Sequence, residues 1–290
     1  MKIIDINNEF YPEILREISD PPKKLYVLGN IDNLNSRSIA IIGSRKCTEY
    51  GKKNGEKFAY NLAKEKFTIV SGMAKGIDSS AHIGALRAKG NTIAVLGAGF
   101  NNIFPKENIK LFEDILNNDG TIITEYEPSI EVSANNFRRR NRIISGLSMG
   151  VLVIEAAKKS GTGITVNYAR RQEKPIFVIP SNIESEKGVG TNRLLKRDGI
   201  LVTDSDDILT YFKMDKITQI KIEDIEECNK LEIKQEYKDI YMTIKNGITN
   251  INQISRTLCL NISELNSKLL MMELEGIIEV KPGNNYEIRS

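Results

Sequence analysis

Between Ser38 and Thr203 the chain alternates short runs of β-branched apolar residues with longer amphipathic segments. Apolar runs of this kind are typical of parallel strands covered on both faces, and amphipathic segments between them are typical of crossover helices. The alternation therefore predicts an α/β fold with a doubly wound, mostly parallel sheet. The predicted strands are Ser38–Ile42, Phe67–Val70, Thr92–Leu96, Thr121–Thr124, Gly150–Ile154, Pro175–Ile179 and Ile200–Thr203. The predicted helices are Tyr50–Lys64, Ser79–Ala88, Glu107–Asn117, Arg139–Leu147, Ile164–Gln172 and Asn192–Arg197.

The residues before and after this alternation predict smaller units. Residues 1–37 carry several turn signals, which indicate a lead-in with turns around one short helix that packs on the core. Residues 38–212 would form the α/β domain, and residues 213–234, which are charged and poor in aromatic side chains, a linker. Residues 235–290 predict three short helices followed by a hairpin, the pattern of a small C-terminal winged-helix domain.

The net charge of +3 over 290 residues identifies no partner, but the charge is unevenly distributed. Residues 1–212 hold 30 Lys and Arg against 25 Asp and Glu, whereas residues 213–290 hold 11 against 13. A polyanion would therefore meet the first 212 residues rather than the tail. The apolar runs are far shorter than the roughly 20 residues of a membrane-spanning helix, and the N-terminus lacks the apolar run of a signal peptide.

Few side chains are available for metal or redox chemistry. Cys47, Cys228 and Cys259 are widely separated and odd in number, which argues against a disulfide framework and a cysteine-rich zinc site and favours a reducing cytoplasm. The single histidine, His82, excludes a multi-histidine metal site. We therefore expect neither a metal nor a cofactor.

The predicted strands run into small or polar residues at their carboxyl ends, where open α/β sheets bind ligands. These loops contain Gly43-Ser44-Arg45, Ser71-Gly72-Met73-Ala74-Lys75-Gly76-Ile77-Asp78, Gly97-Ala98-Gly99, Ser160-Gly161-Thr162-Gly163 and Gly188-Val189-Gly190-Thr191-Asn192. Glycines let the backbone approach an anion closely, and helix N-termini present unpaired N–H groups. With Arg45 and Lys75 on the same rim, we favour a phosphate-bearing ligand over the alternative that the glycines only serve tight strand-to-helix turns.

Known nucleotide fingerprints do not fit this rim. No G-x-G-x-x-G follows the first predicted strand, and no G-x-x-x-x-G-K-[ST] occurs anywhere in the chain. A dinucleotide-dependent oxidoreductase and a P-loop NTPase are both disfavoured.

Three titratable residues are candidates for acid–base chemistry. Glu125 and Glu155 end two strands and would suit a carboxylate pair, but they could equally bind backbone N–H groups or balance arginines, which is the interpretation we favour. His82 follows Asp78 on one helix face, yet no nucleophile accompanies it, so a hydrogen-bonded structural histidine is favoured.

The densest basic run, Arg138-Arg139-Arg140-Asn141-Arg142, directly follows Phe137. An aromatic ring beside clustered arginines suits single-stranded nucleic acid, because bases stack on the ring and guanidinium groups bind phosphates. A solvated helix face with Phe137 as a staple at the helix start remains the alternative.

Motifs in order along residues 10–212 resemble the DNA-processing protein A (Smf) family. They are Tyr11-Pro12, Leu15, Pro21-Pro22, Leu25-Tyr26 and Gly29-Asn30 in the lead-in; Ile41-Ile42-Gly43-Ser44-Arg45; Ser71–Asp78 with Ala81-His82 and Gly84-Ala85-Leu86; Phe137 with Arg140-Asn141-Arg142-Ile143-Ile144; Glu155-Ala156 with Ser160-Gly161 and Ile164-Thr165; and Thr191-Asn192 with Leu194-Leu195. The tail resembles the winged-helix domain that some members carry.

This resemblance implies a Rossmann-like domain that binds single-stranded DNA, acts as a homodimer and loads a RecA-type recombinase onto incoming DNA in natural transformation, with no established catalytic reaction. It further implies that Ser44 and Arg45 contact phosphate, that Lys106 lines the DNA path and that Phe137 stacks on a base. Arg140 and Arg142 would organise that loop or reach phosphate. The full set of residues expected to contact DNA is Gly43, Ser44, Arg45, Lys75, Lys106, Phe137, Arg138, Arg140, Arg142, Ser160 and Gly161.

Three departures from the family pattern stand out. Arg138 occupies a position that is usually Pro, Val132-Ser133-Ala134-Asn135 lacks the basic residue often found there, and the small N-terminal helical domain of many relatives is absent from this sequence.

Two other classes of function remain as alternatives. A phosphoribohydrolase-like enzyme would use Glu125 or Glu155, but its expected P-G-G-x-G-T-x-x-E signature is incomplete around Gly161-Thr162-Gly163. A double-stranded DNA regulator would read bases with Ile262–Glu275, where Lys268 is the only basic residue. We therefore expect a cytoplasmic single-stranded DNA-binding protein without catalytic turnover.

Overall fold

A computed structural model describes residues 1–157, 160–212, 234–245, 247–258, 260–281 and 285–289. The chain divides into two compact units, Met1–Lys213 and Met214–Ser290. Residues 213–233, which make up nearly all of the predicted linker, lie outside the described residues.

The first unit is built on a nine-stranded sheet, and its mostly parallel, doubly wound topology confirms the predicted α/β fold class. The strand order is β1-β2-β6-β5-β4-β3-β7-β8-β9; β3 to β9 pair in parallel, whereas β1–β2 and β2–β6 pair antiparallel. The strands are β1 (Lys2–Asp5), β2 (Lys24–Gly29), β3 (Ser38–Gly43), β4 (Thr68–Ser71), β5 (Thr92–Val95), β6 (Thr121–Thr124), β7 (Gly150–Glu155), β8 (Ile176–Val178) and β9 (Ile200–Leu201).

Helices cover both faces of this sheet, so its central strands are fully buried. They are α1 (Glu13–Arg16), α2 (Glu49–Lys64), α3 (Ile77–Arg87), α4 (Ile109–Asn117), α5 (Ala134–Gly146), α6 (Thr162–Arg171), α7 (Val189–Leu195) and α8 (Ser205–Tyr211). α8 was not predicted, although Asp204 and Asp207 form a capping box at its start.

The lead-in differs from its prediction, because it holds two strands in addition to the short helix. β1 and β2 extend the sheet antiparallel beside β6, and Leu25 and Val27 of β2 are buried in the core. The turn signals around Pro12 and Pro21-Pro22 are real, but the apolar run that follows them forms β2 and pairs with β6, which lies nearly a hundred residues later in the chain. Strand formation of this kind depends on a long-range pairing that local signals do not reveal.

Helix α5 begins five residues earlier than predicted, and this changes the setting of the aromatic residue in front of the arginine run. The Ser133 hydroxyl accepts a hydrogen bond from the Asn136 N–H at 3.1 Å and caps the helix. Phe137 and Arg138 therefore lie on the first turns of α5 rather than in the preceding loop.

The chain reverses its direction of travel across the sheet at β3. From β3 it winds through β4, β5 and β6 to one side, and then returns to place β7, β8 and β9 on the other side of β3. In open α/β sheets, ligands bind at the carboxyl ends of the two strands that flank such a switch point. Here these ends are Gly43 and Glu155, and the Ser44 N–H donates to the Glu155 carbonyl at 2.8 Å.

The second unit has the predicted winged-helix pattern: three helices and a hairpin around a small apolar core. The elements are α9 (Lys238–Lys245), α10 (Ile251–Leu258), α11 (Ile262–Leu274), β10 (Ile278–Lys281) and β11 (Asn285–Ile288). On α11, the helix that would read a DNA groove, Lys268 donates to Glu264 at 2.8 Å. With this one lysine against Glu264 and Glu273, the helix offers little positive charge to duplex phosphates.

No helix within the described ranges is both long enough and apolar enough to cross a membrane.

Candidate nucleic-acid interface

A cleft of about 950 Å³ opens at the switch point between β3 and β7. The loop after β3 forms one wall through Gly43-Ser44-Arg45-Lys46, and the loop after β7 forms the opposite wall through Ala157 and Ser160-Gly161-Thr162. The exposed start of α5, with Phe137 and Arg138, lies along the same cleft. Of the residues predicted to contact DNA, the cleft brings together Gly43, Ser44, Arg45, Phe137, Arg138, Arg140, Ser160 and Gly161.

The loop that carries Arg45 is held in place by backbone contacts on both sides. Ser44 donates its N–H to Glu155 and accepts the Ile77 N–H at 3.2 Å. Gly76 has a φ of +79°, and a Cβ there would lie 2.3 Å from the Ser44 carbonyl oxygen. Gly43 likewise has no room for a side chain, because a Cβ would lie 2.6 Å from Ile77. These glycines serve close packing of two loops, and the exposed Arg45 side chain extends from a fixed backbone.

Phe137 lies half-buried at the centre of a small cluster of rings and guanidinium groups. The Cζ atoms of Arg45 and Arg140 are each 5.6 Å from the centre of its ring, within the range of a cation–π contact. The Phe104 ring lies 5.8 Å away between centroids, tilted by 54°, and is 48% exposed. A Cβ at Gly97 would come within 2.8 Å of the Phe137 ring, so the ring packs closely against the backbone of this glycine.

Arg140 lies beneath Phe137 and is buried, with 3% of its surface exposed. Its Nη1 donates to the carbonyl of Gly72 at 2.7 Å and to that of Val95. Burial lowers the pKa of Arg140 to about 10, which leaves the group charged at neutral pH, and burial raises the pKa of the neighbouring Asp78 carboxyl against the opposing charge of Arg140. Arg140 therefore fixes the floor of the cleft and contributes positive charge there without extending into solvent.

Arg142, one of the residues predicted to organise this loop or to reach phosphate, is buried and does not line the cleft. Arg142 is 2% exposed, and its guanidinium forms a bidentate pair with Glu125, with N···O distances of 2.6 and 2.8 Å. Its Nε also donates to the carbonyl of Asp20 at 2.8 Å. Because every guanidinium nitrogen is engaged inside the protein, Arg142 ties α5 to β6 and to the lead-in.

Lys75 and Lys106 lie on exposed segments and do not line the cleft. The Lys75 ammonium pairs with Glu107 at 2.6 Å, and Lys106 begins the short 3-10 helix Lys106–Asn108 that contains this glutamate. The pair is solvent-exposed, so it contributes little to stability and is readily exchanged for another anion.

The N-terminus of α6 opens onto the cleft at Ser160 and Gly161. A Cβ placed on Gly161 would meet no atom of the described residues within 4 Å, so their packing does not require glycine at this position. The start of a helix presents N–H groups and the positive end of the helix dipole, which suits an approaching phosphate.

Glu155 and His82 have structural roles, as favoured from the sequence. The two Glu155 oxygens accept the Thr48 N–H and the Thr48 hydroxyl, each at 2.9 Å, at the start of α2. His82 is fully buried with its Nδ1 2.7 Å from the Thr92 hydroxyl, and burial lowers its pKa to about 3. The Glu125 carboxylate is bound by Arg142. Neither Glu125 nor Glu155 is among the described residues that line the cleft.

Sequence reasoning missed Phe104, Lys46 and Lys187 as cleft residues. Phe104 lies in the long loop after β5, and its signal was an aromatic residue directly before Pro105 near the glycine-rich end of that strand. Lys46 adjoins Arg45, and Lys187 directly precedes the Gly188 loop. Their side chains add positive charge to a cleft whose one acidic lining residue in the described part of the chain is Asp78.

A family model described as DNA recombination-mediator protein A matches residues 2–213. The chain belongs to this family. A second model, the DprA winged helix domain, matches residues 232–284.

Curated relatives of this family are similar over most of the chain. Protein Smf of Escherichia coli is 34% identical over 289 residues, which cover 99% of this chain and 77% of that protein. DNA processing protein DprA of Streptococcus pneumoniae is 40% identical over 208 residues, which cover 72% of this chain and 73% of that protein.

Two solved structures of family members share the fold of the first unit. DprA from Streptococcus pneumoniae superposes with a TM-score of 0.68 and 38% identity, covering 72% of this chain and 73% of that one. DprA from Helicobacter pylori, whose structure is described as showing a single-stranded DNA binding mode, gives a TM-score of 0.66 and 31% identity, covering 73% of this chain and 96% of that one.

Proposed function

We propose that this member of the DNA recombination-mediator protein A family binds single-stranded DNA in the cleft at the β3–β7 switch point. The observation that carries the proposal is the position of Phe137, whose half-buried ring lies in a basic cleft with the guanidinium groups of Arg45 and Arg140 each 5.6 Å from its centre. Aromatic rings beside cationic groups bind single strands, because bases stack on the ring while the cations meet the phosphates. The single-stranded DNA binding mode described for the Helicobacter pylori relative supports this assignment.

Each part of the cleft has a distinct role in this proposal. Arg45, Lys46, Arg138 and Lys187 bind phosphates, and the backbone N–H groups at Ser160 and Gly161 bind another at the start of α6. Ser44 holds the loop through its backbone hydrogen bonds to Glu155 and Ile77, and its hydroxyl contacts a phosphate. Phe137 and the more exposed Phe104 receive bases, while Arg140 holds the Phe137 ring from below.

Lys75 and Lys106 belong to the outer part of the proposed site. Both are exposed on segments next to the loops that form the cleft, and their side chains are long enough to reach a DNA strand at the rim of the cleft. Lys75 would exchange its exposed partner Glu107 for a phosphate.

The biological role that follows is recombination mediation. The chain would protect incoming single-stranded DNA in the cytoplasm and load a RecA-type recombinase onto it in natural transformation, acting as a homodimer and without a catalytic step. The description of its family as recombination mediators supports this role.

The enzymatic alternative has little support from the side chains at this site. A phosphoribohydrolase-like reaction needs a carboxylate beside the bound nucleotide, and both candidates are bound to other groups, Glu125 to Arg142 and Glu155 to Thr48.

The experiment that tests the proposal compares binding of labelled oligo-dT and of the matching duplex at several salt concentrations, with mononucleotide hydrolysis assayed in parallel. We expect tighter binding of the single strand and a salt-dependent affinity. Arg45→Ala should weaken binding, whereas Lys110→Ala, which removes one exposed charge on α4 outside the cleft, should not. Equal affinity of both variants, or nucleotide turnover that Glu155→Gln abolishes, would contradict the proposal.

A further inference from the structure

A second groove, of about 480 Å³, lies between α2 and α3 and shares no lining residue with the cleft. Its basic and aromatic lining residues are Lys52, Lys53, Lys57, Tyr60 and Arg87. The site described above uses none of them.

Close contact between the two helices forms this groove. A Cβ at Gly84 of α3 would lie 2.4 Å from the Glu56 carbonyl oxygen of α2, and one at Gly55 would lie 3.2 Å from the Ser80 Cβ. Because the helix backbones approach so closely, the longer side chains diverge on the solvent side and leave a shallow channel between them.

The charge in this channel is mostly positive, with Lys52, Lys53, Lys57 and Arg87 against Glu49 and Glu56. Arg87 pairs with Glu56 at 3.0 Å, whereas Lys52, Lys53 and Lys57 are exposed and form no ion pair with any part of the chain that the structure describes. Spacing of four residues places Lys53 and Lys57 one turn apart on the same helix face.

An aromatic residue lies beyond these lysines on the same helix. Tyr60 is 36% exposed, and the ammonium of Lys64 lies 5.5 Å from the centre of its ring. Lysines that alternate with an exposed ring combine a charge for the backbone with a surface for a base.

One end of the groove is close to the cleft along the chain. Arg45 and Lys46 line the cleft, and α2 starts three residues later at Glu49, with Thr48 fixed to Glu155 by two hydrogen bonds. From Thr48 to Tyr60 the helix rises about 18 Å at roughly 1.5 Å per residue. Lys52, Lys53, Lys57 and Tyr60 therefore follow one another along α2, starting six residues after the cleft residue Lys46, with the exposed Glu49 between.

We infer that the groove between α2 and α3 binds the backbone of single-stranded DNA that leaves the cleft past Arg45 and Lys46. This inference rests on the proposed function and extends it, because it assigns the direction in which a longer strand continues. An acidic protein segment would also meet the lysines. The DNA strand fits better, because α2 starts directly after the loop that carries the cleft residues Arg45 and Lys46 and because the groove includes the Tyr60 ring.

The test compares oligo-dT of two lengths, about six nucleotides to fill the cleft and about 20 to extend beyond it. In the full-length protein, Lys53→Ala/Lys57→Ala should bind the short oligonucleotide within about twofold of wild type. It should bind the long one roughly tenfold more weakly, with the slope of log affinity against log salt reduced by about 1.4. The matched control, Lys2→Ala/Lys110→Ala, removes the same charge from β1 and α4 and should affect neither length.

Three results would overturn the inference alone: an equal loss for both lengths, no loss for either, or a loss of binding to poly-glutamate with oligo-dT binding unchanged. The first would indicate a general field effect, the second a solvated helix face, and the third an acidic protein partner. A wild-type protein that binds neither oligonucleotide would instead overturn the proposed function, and this inference with it.

Discussion

The guanidinium carbon of Arg45 lies 5.6 Å from the centre of the Phe137 ring, although the two residues are 92 positions apart in the chain. Arg45 comes from the loop after β3, and Phe137 from the first turns of α5, just before β7. Their contact joins the two sides of the switch point and places a cation and a ring on one surface. Substitution of each residue should therefore have a different effect on DNA binding.

Arg45→Ala should weaken binding of oligo-dT by about 1–3 kcal/mol, the range for loss of a charge-assisted contact. The slope of log affinity against log salt should fall by about 0.7, the value for one neutralised charge on a single strand. Arg45→Lys keeps the charge but loses the planar group over Phe137, so its affinity should be intermediate. A salt titration of both variants measures this, and unchanged affinity of a folded Arg45→Ala protein would contradict the assignment.

Phe137→Ala should lose about 1–3 kcal/mol of binding free energy, the scale of base–aromatic stacking, with almost no change in the salt slope. Arg138→Ala should show the opposite pattern, with a slope reduced by about 0.7, because its exposed side chain meets phosphate.

Thermal unfolding of Phe137→Ala distinguishes stacking from a purely structural role. Phe137 packs against Gly97 and Phe104, so some loss of melting temperature is expected in either case. A variant that melts several degrees lower, yet binds oligo-dT normally at a temperature where it is folded, would show that the ring does not stack on a base.

Gly161→Ala should leave stability unchanged, because a Cβ at this position meets no atom within 4 Å in the part of the chain that the structure describes. It should nevertheless weaken oligo-dT binding at least fivefold, or about 1 kcal/mol, because the methyl group would stand between the start of α6 and a phosphate. Gly163→Ala is the matched control, since its Cβ also meets nothing and it does not line the cleft. Equal affinities of the two variants would remove the α6 N-terminus from the interface.

Arg142→Ala should cost about 3 kcal/mol of unfolding free energy, because Glu125, with its side chain 7% exposed, would lose its bidentate partner and keep only the longer contact to Arg139 at 3.7 Å. The double variant Arg142→Met/Glu125→Gln should be less destabilised, since it buries no unpaired charge. Urea denaturation measures both. An Arg142→Ala protein with unchanged stability but lost DNA affinity would restore Arg142 to the DNA-contacting set.

The burial of His82 predicts a pH dependence of stability. Its pKa is about 3 in the folded protein, against an ordinary value of 6.5, so between these values the unfolded chain binds a proton that the folded protein does not. The free energy of unfolding should therefore fall as the pH drops below 6.5, by an amount on the order of 2 kcal/mol at pH 5. His82→Gln should show a smaller difference between pH 7 and pH 5, since other groups titrate alike in both proteins. Identical differences in urea denaturation would contradict this origin.

The sequence predicted the parallel part of the sheet well and its antiparallel edge poorly. The strands from β3 to β9 are short apolar runs with a helix before or after them, so their local pattern suffices. β1 lies before the turn signals and β2 lies among them; β2 becomes a strand by pairing with β6, and β1 by pairing with β2. Nothing within residues 1–37 reveals that partner.

The arginine run shows where prediction of the site stops. Arg138, Arg140 and Arg142 are equivalent in a sequence pattern, yet Arg138 is exposed on the cleft, Arg140 lies beneath Phe137, and Arg142 is buried against Glu125. Which side of α5 faces inward depends on where Ser133 caps the helix and on contacts from β6 and the lead-in. Those contacts come from distant parts of the chain, so a charge run alone cannot assign its members to DNA or to the protein core.

The most direct test of the account is ultraviolet crosslinking of oligo-dT to the full-length protein, followed by mass spectrometry of the crosslinked peptides. Stacked bases crosslink to the side chains that they touch, so the account predicts crosslinks at Phe137 and Phe104, both lost on competition with unlabelled single strands. Crosslinks confined to residues 235–290, with Phe104 and Phe137 unmodified, would contradict it and assign DNA binding to the winged-helix unit.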